Sequence, residues 1–287
     1  MIARLYVPLA ILFSLLWASA FIAVKTGLRD SPPLFLMGSR FMVAAAILIG
    51  AGLAIGGRLP RGRRAWLQLA ILGLLNYAGY LGLTVIGLQT VSAGMGAVLA
   101  SINPLLLALV APFLIGERVG RQRAIGLLVA FLGVVLVMSS RLRIGSDSPR
   151  GMALILLSLV LLTAGTLLFK RFQPKESLAI LNGVQLLAAG VFLLIPSLLL
   201  EPVSSIHLTL QLAVSIGYLV FVVSIVAMTI WFVLLRHGDA ARASSFFFLN
   251  PIFGLLLASL LLAEPLHLLD FIGSAGVGLG IYLVQRD

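Results

Sequence analysis

The sequence of 287 residues predicts an all-α integral membrane protein, with ten transmembrane helices arranged as two inverted five-helix repeats. Three observations carry that prediction. Charged residues make up 10% of the chain and apolar residues 61%, at a mean hydropathy of +1.17, whereas a soluble domain carries about 25% charged residues. Ten apolar runs reach the roughly 20 residues that a helix needs to cross a bilayer. One stretch occurs twice: Asn103 to Glu117 reads NPLLLALVAPFLIGE, and Asn250 to Glu264 reads NPIFGLLLASLLLAE, 147 residues later. The offset holds further on, where Gly126 falls on Gly273 and Gly133 on Gly280. Self-similarity over half a chain is read as two copies of one unit.

Span one, 5–25, follows Arg4, contains Trp17 and ends at Lys25. Its Ala18-Ser19-Ala20 would suit a signal-peptide cleavage site, but the span recurs in the second half and is read as a helix. Span two, 34–56, opens after Pro32-Pro33, carries Arg40 and stops at Gly56-Gly57. Span three, 66–88, carries Asn76, Tyr77, Tyr80 and Thr84; positions 76, 80 and 84 fall on one face of a regular helix. Span four, 92–115, contains Ser101 and Asn103-Pro104, and span five covers 122–140. The polar linker from Arg141 to Arg150, with Gly145-Ser146, divides the chain into a first repeat, 1–144, and a second, 145–287. Spans six to ten follow at 151–170, 178–200, 209–234, 241–262 and 267–285, with Pro174 and Pro202 as breakers between them.

Basic residues in the loops set the orientation. Fourteen of the 20 Lys and Arg fall on the side of the N-terminus, five on the other, and Arg40 lies within span two. Lys and Arg are retained on the cytoplasmic face, so both termini are expected to be cytoplasmic. Five is odd, so the second repeat enters from the opposite face and a substrate site is expected between the repeats near the midplane. The net charge of +11 is spread over short loops. That pattern fits membrane orientation and not nucleic acid, which a basic chain first suggests. Without cysteine there is no disulfide framework and no thiol chemistry.

All nine acidic residues sit in loops or at span ends. Proton pumps place a carboxylate or His inside the membrane, so facilitated movement or exchange is expected. No HExxH and no mid-span Asp pair occurs, so the chain does not read as an enzyme, and neither metal nor cofactor is expected. Arg40 is the one ionisable residue clearly inside a span; it costs about 2.5–3.5 kcal/mol on insertion scales and needs a partner or a purpose. A bond to helix carbonyls or snorkelling to the interface would satisfy it, and so would a substrate carboxylate. Lys25 and Lys170 are matched helix-end lysines, read as interface anchors with a second role toward substrate left open. Pro104 and Pro251 interrupt the backbone ladder, and Asn103 and Asn250 can serve the freed groups, so the two Asn-Pro pairs are candidate hinges. Trp17, Asn76, Tyr77, Tyr80, Ser101, Thr163 and Trp231 supply mid-span polar and aromatic groups, which turn inward in a membrane helix. They are the candidate substrate contacts. Phe246-Phe247-Phe248 is read as packing against lipid, and Glu117 and Glu264 as caps or partners near helix ends.

Trp17-Ala18-Ser19-Ala20-Phe21 with Lys25, Pro33 with Arg40-Phe41, and the doubled Asn-Pro…Glu stretch resemble the helix signatures of EamA-type carriers in the drug/metabolite transporter superfamily. The resemblance covers essentially the whole chain. It implies a multi-pass carrier of the bacterial inner membrane that moves a small metabolite, often outward. The aromatic residues resemble those of YddG-type exporters, which implies aromatic or other neutral amino acids as cargo. The chain departs from the pattern at Ala20, where a small polar residue is common, and at Gln185, which stands where the second copy would match Arg40. The related small multidrug carriers use a first-helix Glu, and this chain is apolar around Trp17. An organic-phosphate or nucleotide-sugar carrier would need several inward basic residues, and only Arg40 qualifies. A non-transporting receptor or assembly factor has no support from the repeat. Oligomeric state is not set by the sequence, and a monomer suffices for this architecture.

Overall fold

The computed structural model describes residues 2–139, 147–262 and 266–286. Glu264, Arg141, Arg143, Gly145, Ser146 and the boundary between 144 and 145 lie outside the described residues. Among the described residues there is no strand, and ten spans are long and apolar enough to cross a membrane: Leu5–Gly27, Pro33–Ala54, Arg63–Leu88, Met95–Leu114, Arg121–Ser139, Pro149–Phe172, Leu178–Leu200, Leu210–His237, Ala240–Leu257 and Leu268–Arg286. They match the ten expected spans in order.

Local chemistry sets the span ends. Ser92, Ser148, Ser177 and Thr209 each cap a span, their hydroxyl oxygens accepting from the backbone N–H groups of Met95, Gly151, Ile180 and Leu212 at 3.0–3.4 Å. Span two begins on Pro33, whose missing N–H costs nothing in a first turn. Its free N–H groups at Leu34 and Phe35 donate to the two carboxylate oxygens of Glu201, at 2.8 and 2.9 Å.

Four spans are irregular, in two matched pairs. Span four is two helices, Ala93–Ala100 and Asn103–Leu114, with Ser101 and Ile102 as the turn between them. Span nine starts as Ala240–Ser244, tightens through Ser245–Phe248 and resumes at Leu249. In both, the Asn-Pro pair sits in the first turn of the resumed helix, where proline is tolerated. Spans three and eight carry π-helical segments, Leu74–Gly79 and Leu219–Ala227, which begin 145 residues apart.

Glycine contacts reveal the symmetry. A Cβ at Gly126 would lie 2.7 Å from the carbonyl oxygen of Gly280, and one at Gly133 would lie 2.7 Å from that of Gly273. Gly126 corresponds to Gly273, and Gly133 to Gly280. Each residue therefore touches the other's counterpart, as a two-fold relation requires, and spans five and ten cross backbone to backbone. Spans two and seven repeat the relation: Gly38 lies against Leu194 and Gly183 against Ile49, matched at an offset of 145. These close approaches, with small residues at the crossings, are how membrane helices associate without a hydrophobic drive.

Candidate functional site

A cleft lies among spans one, two, three and eight. Trp17, Ala20, Met37, Arg40, Tyr80, Thr84 and Val223 are among the residues of its wall. Val24 and Leu88, at the ends of spans one and three away from the N-terminus, also line it. Its volume, about 50 Å³, is far below the roughly 300–1,000 Å³ of ordinary small-molecule sites, so it is contracted in this conformation. A larger groove of about 440 Å³ between spans two and eight, walled by Val43, Ile47, Ile216, Val220 and Phe221, carries no charged side chain.

Behind Trp17, toward the N-terminal side, four rings stack. Phe13 lies 5.6 Å from Trp17 and 5.2 Å from Trp231, and Trp231 lies 5.0 Å from Phe247. Phe13, Trp231 and Phe247 are buried. The reading of Phe246-Phe247-Phe248 as lipid-facing is therefore corrected: all three are buried, because the tightened turn at Ser245–Phe248 rolls this segment into the bundle.

Below the rings, the N-terminal side is tied shut between the repeats. Lys170 Nζ lies 3.4 Å from Glu117 Oε1 and donates to the carbonyls of Leu235 and Gly238 at 3.1 and 2.6 Å. Glu117 Oε2 accepts from the N–H of Ala240 at 2.9 Å, at the buried first residue of span nine. Arg123 reaches Asp239 at 3.1 Å. The anchor reading of Lys170 is thus too small, since this lysine joins the ends of three elements. Lys25, its counterpart, is exposed.

The structure brings only some of the expected contacts together. Trp17, Tyr80 and Arg40 line the cleft. Asn76, Tyr77, Ser101, Thr163 and Trp231 stand outside its wall. The face expected for 76, 80 and 84 meets span six at both its ends, Asn76 and Thr84, across the π-helical segment Leu74–Gly79. Asn76 packs against Gly165, the Thr84 hydroxyl shares a hydrogen bond with that of Ser158 at 2.9 Å, and Tyr80 and Thr84 border the cleft. Tyr77 turns the other way and donates to Asn182 Oδ1 at 2.6 Å. Asn182 Nδ2 donates to the carbonyl of Ser224 at 2.7 Å, within the π-helical segment of span eight. Asn182 carried no sequence signal, because the carbonyl it serves is set by an irregular helix. Thr163 donates to Asn103 Oδ1 at 3.1 Å, Ser101 Oγ donates to Ala97 O at 2.8 Å, and Trp231 belongs to the ring stack. Asn103 Nδ2 and Asn250 Oδ1, matched across the repeats, are buried without a partner.

Arg40 neither snorkels nor bonds a helix end. It is 3% exposed, its guanidinium carbon lies 4.7 Å from the ring centroid of Phe41, and its Nε has no acceptor.

Known proteins show the same plan. The pattern of the EamA-like transporter family matches residues 4–139 and again 149–286. An uncharacterized transporter of Archaeoglobus fulgidus is 30% identical over 94% of this chain and 95% of its own length. A protein of Escherichia coli named "probable amino-acid metabolite efflux pump" is 26% identical over 96% of this chain and 93% of its own. One crystal structure superposes with a TM-score of 0.82 at 21% identity, covering 98% of this chain and 97% of that one, which speaks for the fold alone. With two matches that together span nearly its full length, the chain belongs to the EamA-like transporter family, membrane carriers of small metabolites.

Proposed function

We propose that the protein exports small amphipathic metabolites, foremost aromatic or other neutral amino acids, by alternating access across a bacterial inner membrane. The observation that carries this reading is the cleft of Trp17, Tyr80 and Arg40, which has the ring stack and the Glu117–Lys170 tie between it and the N-terminal side. The loop charges assign that side to the cytoplasm, so this conformation points outward. Trp17 and Tyr80 supply ring faces for stacking. Access from the cytoplasm requires the ring stack and the Glu117–Lys170 tie to part, with the Asn-Pro breaks of spans four and nine as hinges and widening of the contracted cleft. The similarity to the Escherichia coli protein named as an efflux pump supports an amino-acid-like cargo. Among the described residues every acidic group lies at a span end or in a loop, so movement runs down the substrate gradient or by exchange.

The test uses purified protein in liposomes loaded with phenylalanine. Counterflow of labelled phenylalanine is expected, falling in Trp17→Ala and Tyr80→Ala at equal protein amount. An imposed pH gradient is expected to give no net accumulation. Absence of counterflow with any neutral amino acid overturns the amino-acid reading, and sustained uphill accumulation overturns the energetic one.

A further inference from the structure

We infer that Arg40 reads a carboxylate, and that the cargo class is an aromatic or similarly amphipathic monocarboxylate whose α-ammonium is dispensable. The inference rests on the cleft being the transport site, as proposed above.

An arginine in the interior of a span has to be offset by a partner. Here the protein supplies none. Among the described residues no group accepts a hydrogen bond from the guanidinium, and Nε is buried without an acceptor. The acidic side chains around the start of span two are already engaged. Glu201 accepts from Leu34 N–H, Phe35 N–H and the Ser197 hydroxyl, and Asp30 accepts from the Thr209 hydroxyl. The Phe41 ring at 4.7 Å supports the guanidinium by a cation–π contact without consuming its hydrogen-bond donors. A buried, unpaired planar fork of N–H groups at the wall of a cleft matches a carboxylate, which takes two parallel hydrogen bonds from it.

The second repeat does not duplicate this group. Gln185 stands at the equivalent position, is fully buried, and donates to Leu181 O at 3.2 Å. The cleft wall therefore offers one fixed cation and fits one fixed anion, which disfavours phosphates carrying two charges. The cleft wall contains no acidic side chain. An ammonium on the cargo finds no carboxylate in this wall and at most a cation–π contact with a ring face, so recognition does not require it. Trp17 and Tyr80 remain for the apolar part.

The test compares binding of 3-phenylpropionate, phenylalanine and phenethylamine to the full chain in nanodiscs, by calorimetry. Expected are binding of 3-phenylpropionate, no binding of phenethylamine, and roughly tenfold to hundredfold weaker 3-phenylpropionate binding in Arg40→Gln, the loss of charge-assisted hydrogen bonds. The inference is overturned if 3-phenylpropionate does not bind, if phenethylamine binds as well as it does, or if folded Arg40→Gln binds it like the parent. Should Arg40→Gln not fold, the selectivity of the unaltered protein decides alone. Arg40-dependent binding of 3-phenylpropionate without phenylalanine counterflow would retire the amino-acid reading and leave this one standing. Phenylalanine counterflow untouched by Arg40→Gln would do the reverse.

Discussion

Gly133 and Gly273 meet backbone to backbone. A Cβ on either would come within 2.7 Å of the other's carbonyl oxygen. A side chain at this crossing must push spans five and ten apart, and overpacking typically costs about 1–3 kcal/mol. Gly133→Leu and Gly273→Leu are each expected to lower the melting temperature of the purified protein. Gly254→Ala, where nothing lies within 4 Å, is expected to leave it unchanged. Equal melting of all three variants would contradict the crossing.

Glu117 and Lys170 tie the two repeats on the N-terminal side. Lys170→Met leaves Glu117 and two helix-end carbonyls without their cation, a loss on the order of 1–3 kcal/mol. The variant is expected to open that side more often. A cysteine at Phe13, in this cysteine-free chain, should then react faster with a reagent added from that side. An unchanged rate would remove the tie from the account of closure.

Tyr77 and Asn182 join span three to span seven inside the bundle, and Asn182 passes the link on to Ser224 O. Tyr77→Phe leaves a buried amide oxygen without its donor, at a cost of about 1–3 kcal/mol. A lower melting temperature with retained 3-phenylpropionate binding is expected. Lost binding at unchanged stability would move Tyr77 from scaffold to site.

Leu208 is 90% exposed, and Arg61 is exposed at the opposite end of the bundle. In intact cells an impermeant thiol reagent is expected to label Leu208→Cys and spare Arg61→Cys. The reverse pattern would place the termini outside and turn the proposed exporter conformation inward.

Much of this architecture is legible in the sequence because a bilayer admits few solutions. Apolar runs of fixed length give the spans, and the doubled Asn-Pro…Glu stretch gives the repeat. Arg40 stands out because a lone charge in a span is costly. What stays hidden depends on irregular backbone and on which span a side chain meets. Residues 76, 80 and 84 read as one substrate-facing set, yet span six engages Asn76 and the Thr84 hydroxyl and leaves Tyr80 to the cleft. The phenylalanine triplet at 246–248 has the composition of a lipid face, yet a tightened turn buries it. Asn182 serves a carbonyl in an irregular segment of another span, and no periodicity announces that.

The π-helical segments of spans three and eight begin at Leu74 and Leu219, at matching positions of the two copies. A π-helical turn takes its backbone groups out of the regular i to i−4 ladder. Each half thus carries carbonyls that only a neighbouring helix can serve, as Asn182 serves that of Ser224.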